Sequence, residues 1–313
     1  MRMRFPRHSE RSKQFEMVNF LLIAALCLIW GATWVVIKIG LGEAPPFYGA
    51  AFRFLLAAVI LGAIVSMGRR RMIREWGVLF WVYLSGLFMY FGSYAAVYYS
   101  EQFIDAALAA IIFSSFPFFV AIGAHFYLPG ERLSLLKVLG LVIGFTGIVV
   151  IFSGGLSRPT PEAWWAMFVM LLSPLSSAIA SIVVKRRLTD YDPVVLNFLQ
   201  MTVGVVVLFA LASVNENLGD FRWTATSITA VAFLGTFGSA FTFVTYYQLL
   251  KTMEATKLSL IAFVTPVVAA IIGWVVLGER PTVATILGAI LVFAGIWIVN
   301  VFAPKRMRIV VQD

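Results

Sequence analysis

Residues 107–117 ALAAIIFSSFP, 129–134 PGERLS and 137–147 KVLGLVIGFTG return later in the chain as 256–266 TKLSLIAFVTP, 277–282 LGERPT and 285–295 TILGAILVFAG. Proline, Gly-Glu-Arg and two glycines recur in one order. Pro117 and Pro266 lie 149 apart, whereas Glu131 and Glu279, Gly140 and Gly288, and Gly147 and Gly295 each lie 148 apart, so the first copy carries one extra residue before Gly130. Each copy reads as two apolar helices joined by a tight polar turn. Landmarks that coincide over so long a stretch indicate internal duplication, and the rest of the chain is organised around it.

Composition sets the class. With 61% hydrophobic and 12% charged residues and a mean hydropathy of +0.93, 313 residues have too little polar surface to cover a soluble globule. The chain is expected to be an integral membrane protein. A net charge of +9 does not indicate nucleic acid, because the basic residues sit in short clusters between apolar runs. The only cysteine, Cys27, lies inside the first apolar run, which leaves no disulfide or cysteine metal cluster and reads as a small buried hydrophobe. Basic residues from Arg2 to Lys13 precede that run, yet Val18 to Ile37 is long enough to span a hydrocarbon core rather than to be a signal peptide. Leu26 before Cys27 also argues against a lipoprotein site.

Breaks in hydropathy predict ten spans, at 18–38, 46–67, 76–99, 104–127, 134–152, 163–184, 193–213, 226–249, 256–277 and 282–302. Unpaired backbone is costly in lipid, so each is expected to be a helix. Nineteen Lys and Arg, in the amino tail and in clusters at 69–74, 132–137, 185–187, 251–257 and 305–308, fall on one side; Lys38, Arg158, Arg222 and Arg280 fall on the other. The positive-inside rule then predicts an N-in, C-in topology in the inner membrane. The division expected is a basic cytoplasmic tail at 1–17, a five-helix repeat at 18–152, a second at 163–302 and a cytoplasmic tail at 303–313.

The duplication extends beyond the opening stretch. At an offset of 147, Trp30, Trp34, Lys38, Pro46 and Arg53 fall on Ser177, Ser181, Lys185, Pro193 and Gln200; at 149, Tyr94, Tyr98 and Asp105 fall on Phe243, Tyr247 and Glu254. Because five spans is an odd number, the second repeat enters the membrane inverted. The expected architecture is all-α, ten transmembrane helices in two inverted five-helix repeats, with a substrate site near mid-membrane between them.

Residues 30–40 WGATWVVIKIG, 45–54 PPFYGAAFRF and the two Pro and Gly-Glu-Arg units resemble the EamA-type branch of the drug/metabolite transporter superfamily. The resemblance covers roughly Val18 to Phe302. It implies ten transmembrane helices in two inverted repeats and transport of small metabolites, often export of amino acids and related compounds. The second repeat departs from the first where Trp30, Trp34 and Arg53 become Ser177, Ser181 and Gln200, which implies an asymmetric site.

Several residue patterns suggest where chemistry resides. Trp30, Trp34 and Lys38 share one helical face, as do Tyr83, Tyr90, Tyr94 and Tyr98 of the third span. Their partners Ser177, Ser181 and Lys185, and Ser239, Phe243 and Tyr247, are more polar, so these faces are expected to meet and line a pathway. The competing reading assigns Tyr98, Tyr99 and Tyr247 to the interfacial aromatic belt. Arg53 lies about 10 Å into its span at helical rise, where it either pairs with a carbonyl or captures a substrate carboxylate; Lys38 carries the same alternatives. The substrate-binding candidates are thus Trp30, Trp34, Lys38, Arg53, Tyr90, Tyr94, Ser177, Ser181, Ser239 and Phe243.

Pro117, Pro174 and Pro266 are expected to kink their helices and free the carbonyls of Phe113, Met170 and Ala262, to be met by Ser or Thr or by a wet cavity. Each Gly-Glu-Arg turn reads as a helix end whose acidic residue favours the start of the following helix. The repeated glycines read as close-packing surfaces.

No paired acid and base, nucleophile, phosphate loop or metal ligand set appears, so neither an enzyme nor a cofactor is expected. The partners implied are a small-molecule substrate and the bilayer. All fifteen acidic residues lie at or beyond the predicted span ends. Lacking a mid-depth carboxylate, the chain is expected to work without obligatory proton or sodium coupling. The reading is a secondary transporter that moves amino acids or related amphipathic solutes, in the export direction, by alternating access. Its alternatives are efflux of drugs or toxic compounds and, from another class, an intramembrane or lipid-modifying enzyme.

Overall fold

The computed structural model describes residues 7–153, 160–277 and 282–301. Every element among these residues is helical. Ten apolar helices follow the expected spans. They are α1 (Arg7–Leu41), α2 (Pro46–Met67), α3 (Trp76–Ser100), α4 (Ala106–Tyr127), α5 (Leu135–Phe152), α6 (Pro161–Arg187), α7 (Pro193–Asn215), α8 (Ala225–Thr252), α9 (Ala255–Ser259 and Ile261–Leu277) and α10 (Val283–Val301). Eight contain a stretch long and apolar enough to cross a membrane, and the shorter apolar stretches Leu135–Ile151 and Ala255–Ile271 supply the other two. Helicity from Arg7 runs without a break into the first span, so the described part of the amino tail prolongs α1. Residues 1–6, the second Gly-Glu-Arg turn with Pro281, and 303–313 lie outside the described residues.

The helices start where the sequence offers a cap. Pro46, Pro161 and Pro193 occupy first-turn positions, where a missing N–H costs nothing. Ser134, Thr160, Asp192 and Thr224 each accept a first-turn N–H, from Lys137 at 3.2 Å, Ala163 at 3.3 Å, Val194 at 2.8 Å and Ser227 at 3.2 Å. Gly130 takes φ 82° in the first Gly-Glu-Arg turn, a conformation that favours glycine.

The packing is that of two repeats exchanged by a two-fold axis. α5 pairs with its own mate α10, α2 with its mate α7, and the contact of α1 with α9 is answered by that of α6 with α4. A Cβ on Gly147 would lie 2.5 Å from the Gly288 carbonyl, and one on Gly295 2.5 Å from the Gly140 carbonyl. Early residues of α5 therefore face late residues of α10, and the helices are antiparallel. The α2–α7 pair behaves alike: Glu216 meets the start of α2 at Phe47 N, 2.8 Å, while Arg70 beyond the end of α2 pairs with Asp192 before α7. A two-fold that exchanges antiparallel mates lies perpendicular to them, so the repeats are inverted.

Three local expectations are corrected. First, Tyr83 does not share a face with Tyr90 and Tyr98, being 38% exposed while they are 0% and 3% exposed. A π-helical segment, Leu87–Ser93, interrupts α3, and a second, Thr236–Phe241, interrupts α8 at the equivalent place. The wider turn inserts a residue and rotates the remainder of the helix about its axis. Tyr98 and Tyr247 are thereby buried rather than interfacial.

Second, Pro117 lies in the first turn of a new helical piece after a break at Ser114–Ser115, not inside a kinked helix. Pro174 and Pro266 are intrahelical. The Ala262 carbonyl freed by Pro266 accepts from Ser114 Oγ at 3.0 Å and Thr265 Oγ1 at 3.3 Å, so hydroxyls satisfy it.

Third, Glu131 does not serve the helix immediately after it. Its carboxylate is buried and accepts from Ala255 N at 2.9 Å and Thr256 N at 3.2 Å, capping α9 of the other repeat. The charge still meets a helix N-terminus, but one brought close by tertiary packing.

Candidate functional site

Six helices, α1, α3, α4, α6, α8 and α9, enclose a central cavity of about 70 Å³, room for several waters. Trp30 and Trp34, one turn apart on α1, supply one wall; Phe113 and Phe116 flank the α4 break, with Trp34 against Phe113 at 5.4 Å between ring centroids. Phe243 and Tyr246 of α8 close the other side, each 5.6 Å from the Trp30 ring. Lining residues come as repeat mates: Trp30 with Ser177, Tyr94 with Phe243, Val97 with Tyr246, and Phe116 with Thr265. The cavity therefore straddles the two-fold axis, with aromatic rings and hydroxyls contributed by both repeats.

The polar side is built from serines and threonines inside apolar runs. Ser177 Oγ donates to Ser93 Oγ at 2.9 Å, and Ser93 exchanges a hydrogen bond with Ser173 at 2.8 Å. Trp30 Nε1 donates to Thr242 Oγ1 at 3.1 Å. Buried hydroxyls so paired cost little, and those on the wall keep unused acceptor capacity for a solute.

Arg53 sits one layer behind the wall and is wholly buried. Its Nε donates to Ser239 Oγ at 2.8 Å, and Nη2 donates to the Gly238 carbonyl at 2.9 Å. That carbonyl belongs to the π-helical segment of α8, whose irregular turns leave backbone acceptors available. The guanidinium lies over the Tyr94 ring at 4.7 Å, a favourable cation–π contact, and its Nη1 has no hydrogen-bond partner among the described residues. Tyr94 thus touches the cavity on one side and the cation on the other.

Of the ten candidates, Trp30, Trp34, Tyr94, Ser177 and Phe243 line the cavity. Arg53 and Ser239 form the buried network behind Tyr94. Tyr90 does not line the cavity; it packs behind Phe243 at 4.9 Å and donates its hydroxyl to Asn197 Oδ1. Ser181 also lies behind, hydrogen-bonded to Tyr246 at 3.2 Å. The Lys38 ammonium donates to the carbonyls of Glu101 and, at 3.0 Å, Ile104. Its mate Lys185 does the same to Leu250 and, at 2.8 Å, Met253, which are the repeat equivalents of those residues. A bond pattern shared by both repeats gives Lys38 a helix-closing role.

Several residues at the site were not singled out in the sequence. Ser93, Thr265 and Tyr246 line the cavity, and the available signal was a hydroxyl within an apolar span. Outside the cavity lining, Glu101 is wholly buried just past the end of α3, with neither carboxylate oxygen hydrogen-bonded among the described residues.

Comparison with known proteins places this geometry. The EamA-like transporter family matches residues 17–153 and again 164–301. The chain is 30% identical over 294 residues to the "Uncharacterized transporter YoaV" of Bacillus subtilis, covering 94% of this chain and 100% of that protein. It is 26% identical over 255 residues to the "Uncharacterized inner membrane transporter YedA" of Escherichia coli K12, covering 82% and 81% of the two chains. A crystal structure at 20% identity superposes with a TM-score of 0.74 over 91% of this chain and 98% of that one, a likeness of fold. Two matched units over nearly the whole length, on an inverted ten-helix frame, make this chain a member of the EamA-like transporter family: a multi-span membrane transporter of small molecules and not an enzyme.

Proposed function

We propose that the protein exports small zwitterionic or amphipathic metabolites, amino acids and their relatives, across the inner membrane by alternating access at the cavity between the repeats. The observation that carries this reading is the cavity's place and lining. It lies on the pseudo-two-fold axis, where exchange of the two repeats' conformations would open it to either side in turn. Its aromatic rings suit an apolar side chain, and the hydroxyls of Thr33, Ser93, Ser177, Ser259 and Thr265 suit polar groups. Arg53, separated from it by the Tyr94 ring, sets a positive charge beside the cavity that favours a substrate carboxylate.

A second reading, efflux of apolar cationic compounds, draws on the aromatic wall of Trp30, Trp34, Phe113 and Phe116. A buried cation beside the cavity disfavours it.

The test is counterflow in proteoliposomes against a panel of labelled amino acids, their decarboxylated amines and hydrophobic cations. Arg53→Gln installs the residue of the second repeat. It is expected to raise KM at least tenfold for a transported amino acid and to leave the corresponding amine nearly unchanged. Equal loss for both, or transport of cations alone, would sink the carboxylate reading.

A further inference from the structure

Glu101 is the feature of this molecule that the transport reading leaves unexplained. The residue lies just past the last turn of α3, where span boundaries alone would place it in water. Instead its side chain is 0% exposed, and neither carboxylate oxygen accepts a hydrogen bond from the described residues. The other fully buried carboxylate among the described residues, Glu131, is satisfied, capping α9 through two backbone N–H groups. An ionised carboxylate left buried and unbonded is among the costliest arrangements a fold can hold.

The repeat shows that the frame does not need this group. The mate of Glu101 is Leu250, also 0% exposed, at the equivalent register in the last turn of α8 and with the equivalent lysine on its carbonyl. A leucine therefore fills the equivalent place, and the carboxyl in the first repeat has another use.

The charged and titratable groups that face it are Lys38 from α1, Arg53 from α2 and Tyr98 of its own helix. The buried face of α6 nearby, at Ala163, Ala166 and Met170, brings none. Lys38 is committed to two carbonyls and Arg53 to Ser239 and the Gly238 carbonyl, so neither cation bonds the carboxylate and both act on it through charge. The carboxyl is thus coupled electrostatically to the cation that borders the substrate cavity.

We propose that Glu101 is a proton-binding site of the transport cycle: it holds a proton as a neutral carboxylic acid in the closed conformation and releases it to water when the halves move and the site is exposed. The proton enters from and leaves to the aqueous phases, with no other bond made or broken. Burial pushes the carboxyl up to about 8 against the lowering influence of Lys38 and then Arg53. Burial therefore favours the neutral acid and hydration the carboxylate. This replaces the expectation of uncoupled transport, which counted depth along the helix and not enclosure by neighbouring helices.

The inference rests on the transporter reading, and its test keeps the two apart. Wild type, Glu101→Gln and Glu101→Leu are reconstituted, and counterflow at equal pH is measured first. All three are expected to exchange labelled amino acid; if wild type does not, the substrate reading fails before the proton question arises. With equal substrate on both sides, an imposed pH gradient is then expected to drive net substrate movement in wild type. A luminal pH indicator should record proton movement on substrate addition.

Both signals should fall at least tenfold in the two variants while counterflow stays within threefold. Gradient-driven movement that persists in Glu101→Gln and Glu101→Leu, or its absence in wild type that exchanges normally, would overturn the proposal. Stability supplies a readout independent of transport. A carboxyl raised on folding binds more protons folded than unfolded, so its contribution is full below the unfolded value near 4.5 and is lost as pH rises through about 8. Tm of wild type relative to Glu101→Leu should fall across that window; a flat difference would mean that the carboxyl is not protonated in the fold.

Discussion

At the scale of single residues, comparison with the repeat partner separates a shared structural device from a feature of one repeat alone. Lys38 and Lys185 do the same thing at equivalent places, which marks a structural device. Glu101 opposite Leu250, and Arg53 opposite Gln200, break the symmetry, and these are the two positions to which the proposed proton and carboxylate roles are assigned. Glu131 belongs with the structural devices. Its two backbone bonds and a contact with Thr256 Oγ1 at 3.4 Å join the loop of one repeat to the start of α9 in the other. Glu131→Ala leaves those buried donors unmet and is expected to cost about 2–4 kcal/mol. Glu131→Gln, which keeps one acceptor, is expected to cost about half as much. Thermal unfolding in detergent measures both; an alanine variant as stable as wild type would mean that water replaces the cap.

At the scale of elements, irregular turns in α3 and α8 and small residues in α5 and α10 govern the packing. The two π-helical segments re-aim the aromatic faces toward the axis and free the Gly238 carbonyl for Arg53. The α5–α10 pair relies on backbone approach, since apolar side chains gain little by associating in lipid and close packing must hold the helices together. At Gly147 an added Cβ would sit 2.5 Å from the Gly288 carbonyl and 2.7 Å from Val292 N, both backbone atoms that cannot step aside. Gly77, on α3, has nothing within 4 Å of such a Cβ. Gly147→Ala is therefore expected to lower Tm and folded yield clearly. Gly77→Ala should be neutral or stabilising by up to about 1 kcal/mol, because it removes backbone freedom from the unfolded chain. The opposite ranking would show that the glycine contacts are not what joins the repeats.

At the scale of the whole molecule, orientation is set by charge. The cationic clusters at 69–74 and 185–187 gather at one end of the bundle, where Arg70 pairs with Asp192 and the loops carry most of the Lys and Arg. We expect that end to face the cytoplasm. Cys27 is buried, so a Cys27→Ala background leaves no thiol to interfere. An impermeant maleimide applied to intact cells should label a cysteine at exposed Asp220 and not one at exposed Arg71. Labelling of position 71 alone would invert the topology and with it the meaning of export.

The membrane class, the ten helices, their pairing as repeats and the aromatic face of α1 were all legible in the sequence, because each depends on local composition or on a pattern that duplication writes twice. Hydropathy along a chain reports what a segment can be, not what surrounds it. Only the tertiary structure decided that Tyr90 lies behind the cavity and Tyr83 away from it, since a π turn rotates everything after it without changing composition. It also decided that Glu131 caps a helix of the other repeat, and that Glu101 at a span end is fully enclosed. Burial, partners and charge coupling arise between helices far apart in sequence, and the physical chemistry of a site depends on those.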